Sequence, residues 1–292
     1  VTNILITGNG FIGSNLYNHL TENKSVYVKI VSRKDVDYFD EIALKKYVRE
    51  NFHSFNDSGD DVVIINCSGF TGKPNVDQCE ELKHLTVTYN TKLPVNLSNY
   101  CKRNKWWFIN ISSGCIYTGY NKDFNENDEP NFGVSNKESS FYSHTKHLAE
   151  IMVNKDVTST LRIRMPFCHY NSERNLINKI LKYDKLISYE NSLTCVEDLC
   201  VFVENFILRE LYKNSPGIYN VVNPGSVNAR QIVGILSKYN LINPNWSFVD
   251  IDNIPIKAGR SNCVLSDKKI ADLGLQLPPA VESLEKCIQA LS

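Results

Sequence analysis

A short apolar run that ends in a glycine turn, at the start of the chain, restricts the fold more than any other stretch. Asn3-Ile4-Leu5-Ile6 reads as a strand buried in a parallel sheet. Gly8-Asn9-Gly10-Phe11-Ile12-Gly13 follows, and Ser14 to Leu20 continues with helical period. Strand, glycine turn and helix in that order make the dinucleotide fingerprint. Glycines permit the tight turn and the close approach of a pyrophosphate, and the helix N-terminus offers it free N–H groups and a partial positive charge. Gly8, Asn9, Gly10, Phe11, Ile12 and Gly13 are therefore expected to bind a cofactor.

The alternation continues along the chain. Val26 to Val31 is a second strand that ends in Ser32-Arg33-Lys34 where an acidic residue would hold the ribose 2′-hydroxyl of NAD. A hydroxyl with basic neighbours suits the 2′-phosphate of NADPH, with Ser32 and Arg33 as its readers. Glu41 to Phe52 is helical by period, Asp57-Ser58-Gly59-Asp60 is a loop, and Val62 to Asn66 is the third strand. Cys67, Ser68 and Gly69 follow at its carboxyl end, where a cofactor lies in such sheets. Leu85 to Lys102 reads as one long helix that includes Asn90 and kinks or restarts at Pro94. Trp106 to Ile111 is the fourth strand; an extended continuation would point Ser113 and Cys115 to one side. Residues 118 to 140 are polar and read as a surface loop. A helix runs from Tyr142 to about Val153, and Thr158 to Arg164 is a fifth strand ended by Met165-Pro166, with Met165 joining the cofactor-facing set.

This pattern predicts an α/β fold, a Rossmann-like doubly wound parallel sheet. Beyond it, Arg174 to Tyr183 is a short basic helix, Ser192 to Asp198 is extended, Leu199 to Tyr212 is helical and Ile218 to Val222 is a late strand. The expected division is a cofactor domain over residues 1–166, with a return segment at about 192–222. A smaller C-terminal substrate-binding domain takes 167–191 and 223–292.

Formal net charge is zero, so no basic surface argues for nucleic acid and no basic tail for a membrane. No apolar run approaches the ~20 residues of a bilayer span, and the N-terminus enters a strand without a signal pattern. Nine cysteines lack CxxC or His spacing, so neither a metal site nor a disulfide framework is expected. The expectation is a cytoplasmic protein with reduced thiols.

Chemistry enters with Tyr142-Ser143-His144-Thr145-Lys146. Residues four apart share a helix face, so the Lys146 ammonium can lie beside the Tyr142 phenol. Ser112-Ser113 precedes the pair by about thirty residues. Glycine turn, serine and Tyr-x-x-x-Lys together resemble the short-chain dehydrogenase/reductase superfamily, in its extended form acting on nucleotide sugars. The glycine turn is one residue shorter than is usual there.

Further stretches resemble the plant-type bifunctional 3,5-epimerase/4-reductase of nucleoside-diphosphate 4-keto-6-deoxyglucose, the family that makes UDP-L-rhamnose. They are Thr71-Gly72-Lys73-Pro74-Asn75-Val76-Asp77-Gln78-Cys79-Glu80, Ser113-Gly114-Cys115-Ile116, Leu161-Arg162-Ile163-Arg164-Met165-Pro166, Arg174-Asn175, Asn223-Pro224-Gly225 and Arg260-Ser261-Asn262. Ser113 stands where that family has Thr, Lys73 where it has Arg and Gln78 where it has Trp.

The resemblance implies a nucleotide-sugar substrate with a ketone at C4. Cys115 and Lys179 match the family's epimerisation pair, which moves protons at C3 and C5. Lys182 is a rival to Lys179, and Cys79 is an alternative thiol assigned to loop packing. NADPH then gives a hydride to C4 while Tyr142 protonates its oxygen, Ser113 orients it and Lys146 supports the phenol and the nicotinamide ribose. Thr71, Lys73, Asn75, Asn175 and Arg260 are the expected substrate-binding residues, with Lys73 and Arg260 on the phosphates. A homodimer, and a separate 4,6-dehydratase that supplies the keto sugar, are implied in the same way. The alternatives are a 4-reductase alone, on a dTDP- or GDP-sugar, and a non-catalytic reductase-like subunit.

Overall fold

A computed structural model of the chain describes residues 1–52 and 62–292. The loop expected at Asp57-Ser58-Gly59-Asp60 lies outside them. The first half runs β1 (Thr2–Thr7), α1 (Phe11–Thr21), β2 (Val26–Val31), α2 (Glu41–Asn51) and β3 (Val62–Asn66). Then come α3 (Asp77–Glu81), α4 (Lys83–Val87), a π-helical turn (Thr88–Lys92), α5 (Leu93–Asn104), β4 (Trp107–Ser113), β5 (Gly119–Phe124), α6 (Phe141–Met152) and β6 (Thr158–Ile163). The second half holds α7 (Leu176–Lys182), β7 (Lys185–Leu186), β8 (Asn191–Leu193), α8 (Val196–Leu208), α9 (Leu211–Asn214), β9 (Ile218–Asn220), β10 (Asn223–Val227) and α10 (Ala229–Lys238). It closes with β11 (Ser247–Phe248), β12 (Cys263–Leu265), α11 (Lys268–Asp272) and α12 (Ala280–Leu291).

Six strands form one parallel sheet in the order β2-β1-β3-β4-β6-β9. The order reverses between β1 and β3, and ligands of such sheets lie outside the carboxyl ends of the strands at that point. Both faces are covered. Ile4 and Ile6 of β1 pack with Leu16 and Leu20 of α1 and Phe202 and Phe206 of α8. Leu5, which points the other way, packs with Leu44 and Val48 of α2 and Leu97 of α5. A third cluster joins α7, β8, α10 and α12 through Ile177, Leu193, Ile232 and Leu284.

The long helix passes through a π-helical turn at Thr88–Lys92 and returns to α-helical form at Leu93, next to Pro94, where a kink or restart is expected. Two stretches differ from expectation. The polar segment 118–140 contains strand β5, which pairs in parallel with β12. Its partner lies some 140 residues downstream, so no local alternation announces it. Val196–Asp198 is helical rather than extended, because α8 starts three residues earlier. Among the described residues, no helix is long and apolar enough to cross a membrane.

Candidate active site

The glycine turn shows three different uses of a missing side chain. A Cβ on Gly13 would lie 1.9 Å from the Gly8 carbonyl oxygen, so helix and strand touch there. Gly8 adopts φ +99° and packs against Ser68. Gly10 faces open space and caps α1 and, among the described residues, no side chain accepts from the first-turn N–H groups. The turn is therefore closed on the protein side and open at the helix N-terminus, a cradle that fits a pyrophosphate. Asn9 is exposed and Phe11 and Ile12 are half-buried around it. Tyr38, unmarked in sequence, is buried beneath the turn; it accepts a hydrogen bond from Gly8 N at 3.1 Å and donates to Val31 O at 2.6 Å.

At the end of β2, Arg33 stacks over the Tyr89 ring at 4.2 Å. The Ser32 backbone N–H and hydroxyl both donate to the Asp35 carboxylate at 2.7 Å. Those two bonds hold the Asp35 carboxyl below the usual carboxylate range. Cys67 continues the ladder from β1, and Gly69 lies against the Asn90 amide and the Lys146 ammonium. Asn90 sits in the π-helical turn; it accepts from Phe70 N at 2.7 Å and donates to Phe70 O at 2.8 Å, which fixes that loop. Met165 takes φ 39°, an uncommon angle for a long side chain, where the chain leaves β6 for the cavity.

Tyr142 and Lys146 share one face of α6, whose N-cap Ser140 accepts from Ser143 N. Burial pushes the Tyr142 phenol well up, the neighbouring Cys115 adds to the rise, and a hydrogen bond with Ser113 opposes it. The phenol thus keeps its proton at neutral pH, the state a general acid needs. Lys146 Nζ lies 5.9 Å from the Tyr142 ring centroid and is buried. Burial pulls it down to about 8, against the attraction of Glu150.

The Lys146 shift has a consequence for stability. Unfolded, the lysine titrates near ~10.4. Below pH 8 it is charged in both states and its desolvation cost is fully present; the cost is relieved as pH rises from about 8 to about 10.5. Lys146→Met is therefore expected to gain on the order of 1–3 kcal/mol of stability at pH 7 while losing activity. Urea unfolding at pH 7 and pH 9.5 checks this: the gap between variant and wild type should shrink at the higher pH. A variant less stable at pH 7 would contradict the assignment.

A cavity of about 720 Å³ adjoins this pair, between the sheet and the third hydrophobic cluster. Tyr142, Cys115 and Lys179 line it together, with Arg174 and Arg260 among the charged groups in its wall. β4 ends at Ser113, so the alternation expected through Cys115 does not apply; residues 114–116 turn instead. Cys115 is nevertheless held beside Ser113, with its N–H donating to the Ser113 hydroxyl at 3.2 Å. Burial first, then the Arg174 charge, pull the Lys179 ammonium below the usual lysine range. Lys182 also lines the cavity but is exposed. Cys79 is fully buried, and that burial raises its thiol to about 11.

The expected substrate residues separate. Asn75 and Arg260 line the cavity; Arg260 donates to Asp77 at 2.8 Å. Thr71 accepts from Arg174 at 2.7 Å. Lys73 points to the surface, 3.7 Å from Glu173, with its side chain 75% exposed. Asn175 is fully buried: it caps α7 and donates to Cys168 O and Tyr170 O, so Arg174 rather than Asn175 faces the cavity. Away from the site, the Cys195, Glu197 and Cys287 ligand atoms lie within 4.8 Å of one another. Both thiols donate to the carboxylate, at 3.1 and 3.9 Å, which accounts for the arrangement without an ion.

Comparison with known proteins identifies relatives along the whole chain. The family described as RmlD substrate binding domain matches residues 2–292. A bifunctional dTDP-4-dehydrorhamnose 3,5-epimerase/dTDP-4-dehydrorhamnose reductase of Arabidopsis thaliana is 33% identical over 238 residues, 77% of this chain and 75% of that protein. A trifunctional UDP-glucose 4,6-dehydratase/UDP-4-keto-6-deoxy-D-glucose 3,5-epimerase/UDP-4-keto-L-rhamnose-reductase from the same plant is 32% identical over 236 residues, 77% of this chain. The match covers 34% of that relative, so the chain spans about a third of the length of such trifunctional proteins. Among solved structures, the L780 UDP-rhamnose synthase of Acanthamoeba polyphaga mimivirus superposes with TM-score 0.81 at 25% identity, over 99% of both chains. A dTDP-4-dehydrorhamnose reductase of Bacillus anthracis, solved in complex with NADP, shares the fold at TM-score 0.78 and 21% identity, over 98% of this chain and 96% of that one.

Proposed function

The chain belongs to the RmlD substrate-binding-domain family, and from that premise we propose that it is an NADPH-dependent reductase of a nucleotide-linked 4-keto-6-deoxy sugar that also epimerises C3 and C5. The specific reaction is conversion of UDP-4-keto-6-deoxy-D-glucose to UDP-L-rhamnose. The observation that carries the reading is the shared cavity: Cys115, Tyr142 and Lys179 line one space, and the Cys115 N–H is held on the Ser113 hydroxyl at its edge.

NADPH, when bound, supplies the hydride for C4. The chain's residues do the rest. The open side of the Gly8–Gly13 turn would hold the pyrophosphate, Arg33 over Tyr89 would serve the adenosine end, and Lys146, beside Gly69, would hold the nicotinamide ribose. A 2′-phosphate on Ser32 requires the Asp35 carboxylate to give up that residue's N–H and hydroxyl. Arg174 and Arg260 are placed for the substrate diphosphate, with Thr71 and Asn75 beside them.

The C4 ketone makes the hydrogens on C3 and C5 acidic. Cys115 takes a proton from one face, and Lys179 returns one to the other, its ammonium made readier to give a proton by burial. Tyr142 then protonates the C4 oxygen as the ketone is reduced. One carbonyl thus serves both steps in one cavity. The cluster formed by α7, β8, α10 and α12 acts as the substrate-binding part. A 4,6-dehydratase supplies the ketone, and the setting is cytoplasmic. A homodimer through the helices flanking Tyr142 would cover Ile151 and Met152, which are exposed on α6.

The test is incubation with the UDP- and dTDP-linked 4-keto-6-deoxyglucose in D2O, with product read by NMR. Without NADPH, deuterium should enter C3 and C5; with NADPH, the rhamnose form should accumulate. Cys115→Ala should lose the exchange by about 10²-fold or more and still reduce a keto sugar already epimerised. If that variant still makes the rhamnose form from keto-glucose, the chain is a 4-reductase whose proton transfers lie elsewhere.

A further inference from the structure

Two arginines near the end of β6 are treated in opposite ways. Arg162 is buried and paired with the Glu150 carboxylate at 2.7 Å. Arg164, just past the strand, is 1% exposed and has no carboxylate within ion-pairing distance among the described residues. Its Nη1 donates to Cys115 Sγ at 3.4 Å and to Ser261 Oγ at 2.8 Å. Its Nη2 donates to Asn191 Oδ1 and to Ser261 O at 3.2 Å, and its Nε has no partner. A buried guanidinium without an anion is costly, and removing its solvation is repaid only by a charge placed against it. The ionisable groups that face it are Cys263, Cys115 and Tyr120. Cys263 is fully buried, whereas Cys115 is half-buried and opens on the cavity.

We propose that Arg164 is a positioning residue for Cys115: it is the counter-charge of the sulfur after proton loss, and it turns the sulfur's free side toward the cavity. The inference rests on the reading of Cys115 as the proton-exchanging thiol. In that reading the sulfur takes the C–H proton, and the C–H electron pair passes into the enolate. Lys179 gives a proton to the opposite face. The net transfer from lysine to sulfur is reset by exchange with water, and Arg164 stays protonated throughout. As the sulfur accepts from the Nη1–H, any hydrogen it carries points away from the guanidinium. The forked geometry matters, because one side chain bridges Cys115, Ser261 and Asn191, which a lysine cannot do.

Alkylation of Cys115 by iodoacetamide, without sugar or cofactor, tests this directly, since the thiolate is the reactive form. The other groups facing the sulfur are Tyr142 and Lys146 from α6 and Cys263 from β12, all left unchanged. Cys115→Ser supplies the blank for the remaining thiols. Arg164→Met should slow alkylation at neutral pH by ~10-fold or more and displace the rate–pH curve to higher pH. Arg164→Lys, which keeps the cation and loses the fork, should be displaced less. An Arg164→Met protein with native circular dichroism and an unshifted curve overturns the proposal. If that variant does not fold, Arg164→Lys decides: a curve identical to wild type overturns it, and a displaced one supports it. The epimerase reading fails separately, by absence of deuterium exchange in the wild-type protein, because alkylation needs no sugar.

Discussion

Tyr142→Phe is expected to lower the rate of NADPH oxidation with the keto sugar by about 10²–10⁴-fold, the range lost when a positioned general acid is removed. Cofactor affinity should change little, because the role proposed for the phenol is toward the substrate oxygen, whereas the open cradle lies at the Gly8–Gly13 turn. The reason for so large an effect is the state of the phenol. Burial and the nearby Cys115 keep its proton on. Phe keeps the ring and its packing and deletes only the donor. Deuterium exchange at C3 and C5 should fall less than reduction, since the proton carriers proposed for it are Cys115 and Lys179. A variant that oxidises NADPH within tenfold of wild type would remove Tyr142 from the mechanism.

The largest effect on stability is expected from Glu150→Gln, at about 3–5 kcal/mol, because it leaves Arg162 buried without its charge partner. Both side chains are nearly inaccessible, at 5% and 2%. Arg162 Nε and Nη2 meet the carboxylate at 3.1 and 2.7 Å, Ser112 Oγ donates to it at 2.9 Å, and Arg162 Nη1 donates to Tyr117 OH at 3.0 Å. This network ties α6, the helix that carries Tyr142 and Lys146, to β4 and β6. Loss of activity in Glu150→Gln should therefore accompany loss of structure. Denaturant unfolding of the single variant and of Glu150→Leu/Arg162→Met separates the two causes. The double change removes both charges and should recover most of the stability. If Glu150→Gln costs less than ~1 kcal/mol, the pair is not the clamp described here.

Much of this molecule is legible from local pattern. The unbroken apolar strands Ile4–Ile6 and Val62–Ile65 call for a sheet covered on both faces, and both faces are covered. The spacing of Tyr142 and Lys146 places them on one helix face without knowledge of any other element. The glycine turn specifies its own geometry, since Gly8 needs a positive φ and Gly13 has no room for a Cβ.

What local pattern leaves out is partnership across long sequence separations. Strand β5 exists because Cys263 and Leu265 lie beside it, not because of its own polar residues. Nothing in its local pattern singles out Glu150, and only the folded chain places Arg162 buried against it. Arg174 and Asn175 are neighbours of similar polarity, yet one faces the cavity and the other is enclosed as a helix cap. Arg164 shows no unusual spacing, and only the packed structure reveals a cation that, among the described residues, has a thiol beside it and no carboxylate. By itself the sequence determined where the backbone bends, pairs and coils, because torsional preference and hydrophobic period act within a few residues. Tertiary structure alone decided which charges are stripped of water and what stands next to them, because desolvation depends on neighbours that the chain brings back from far away.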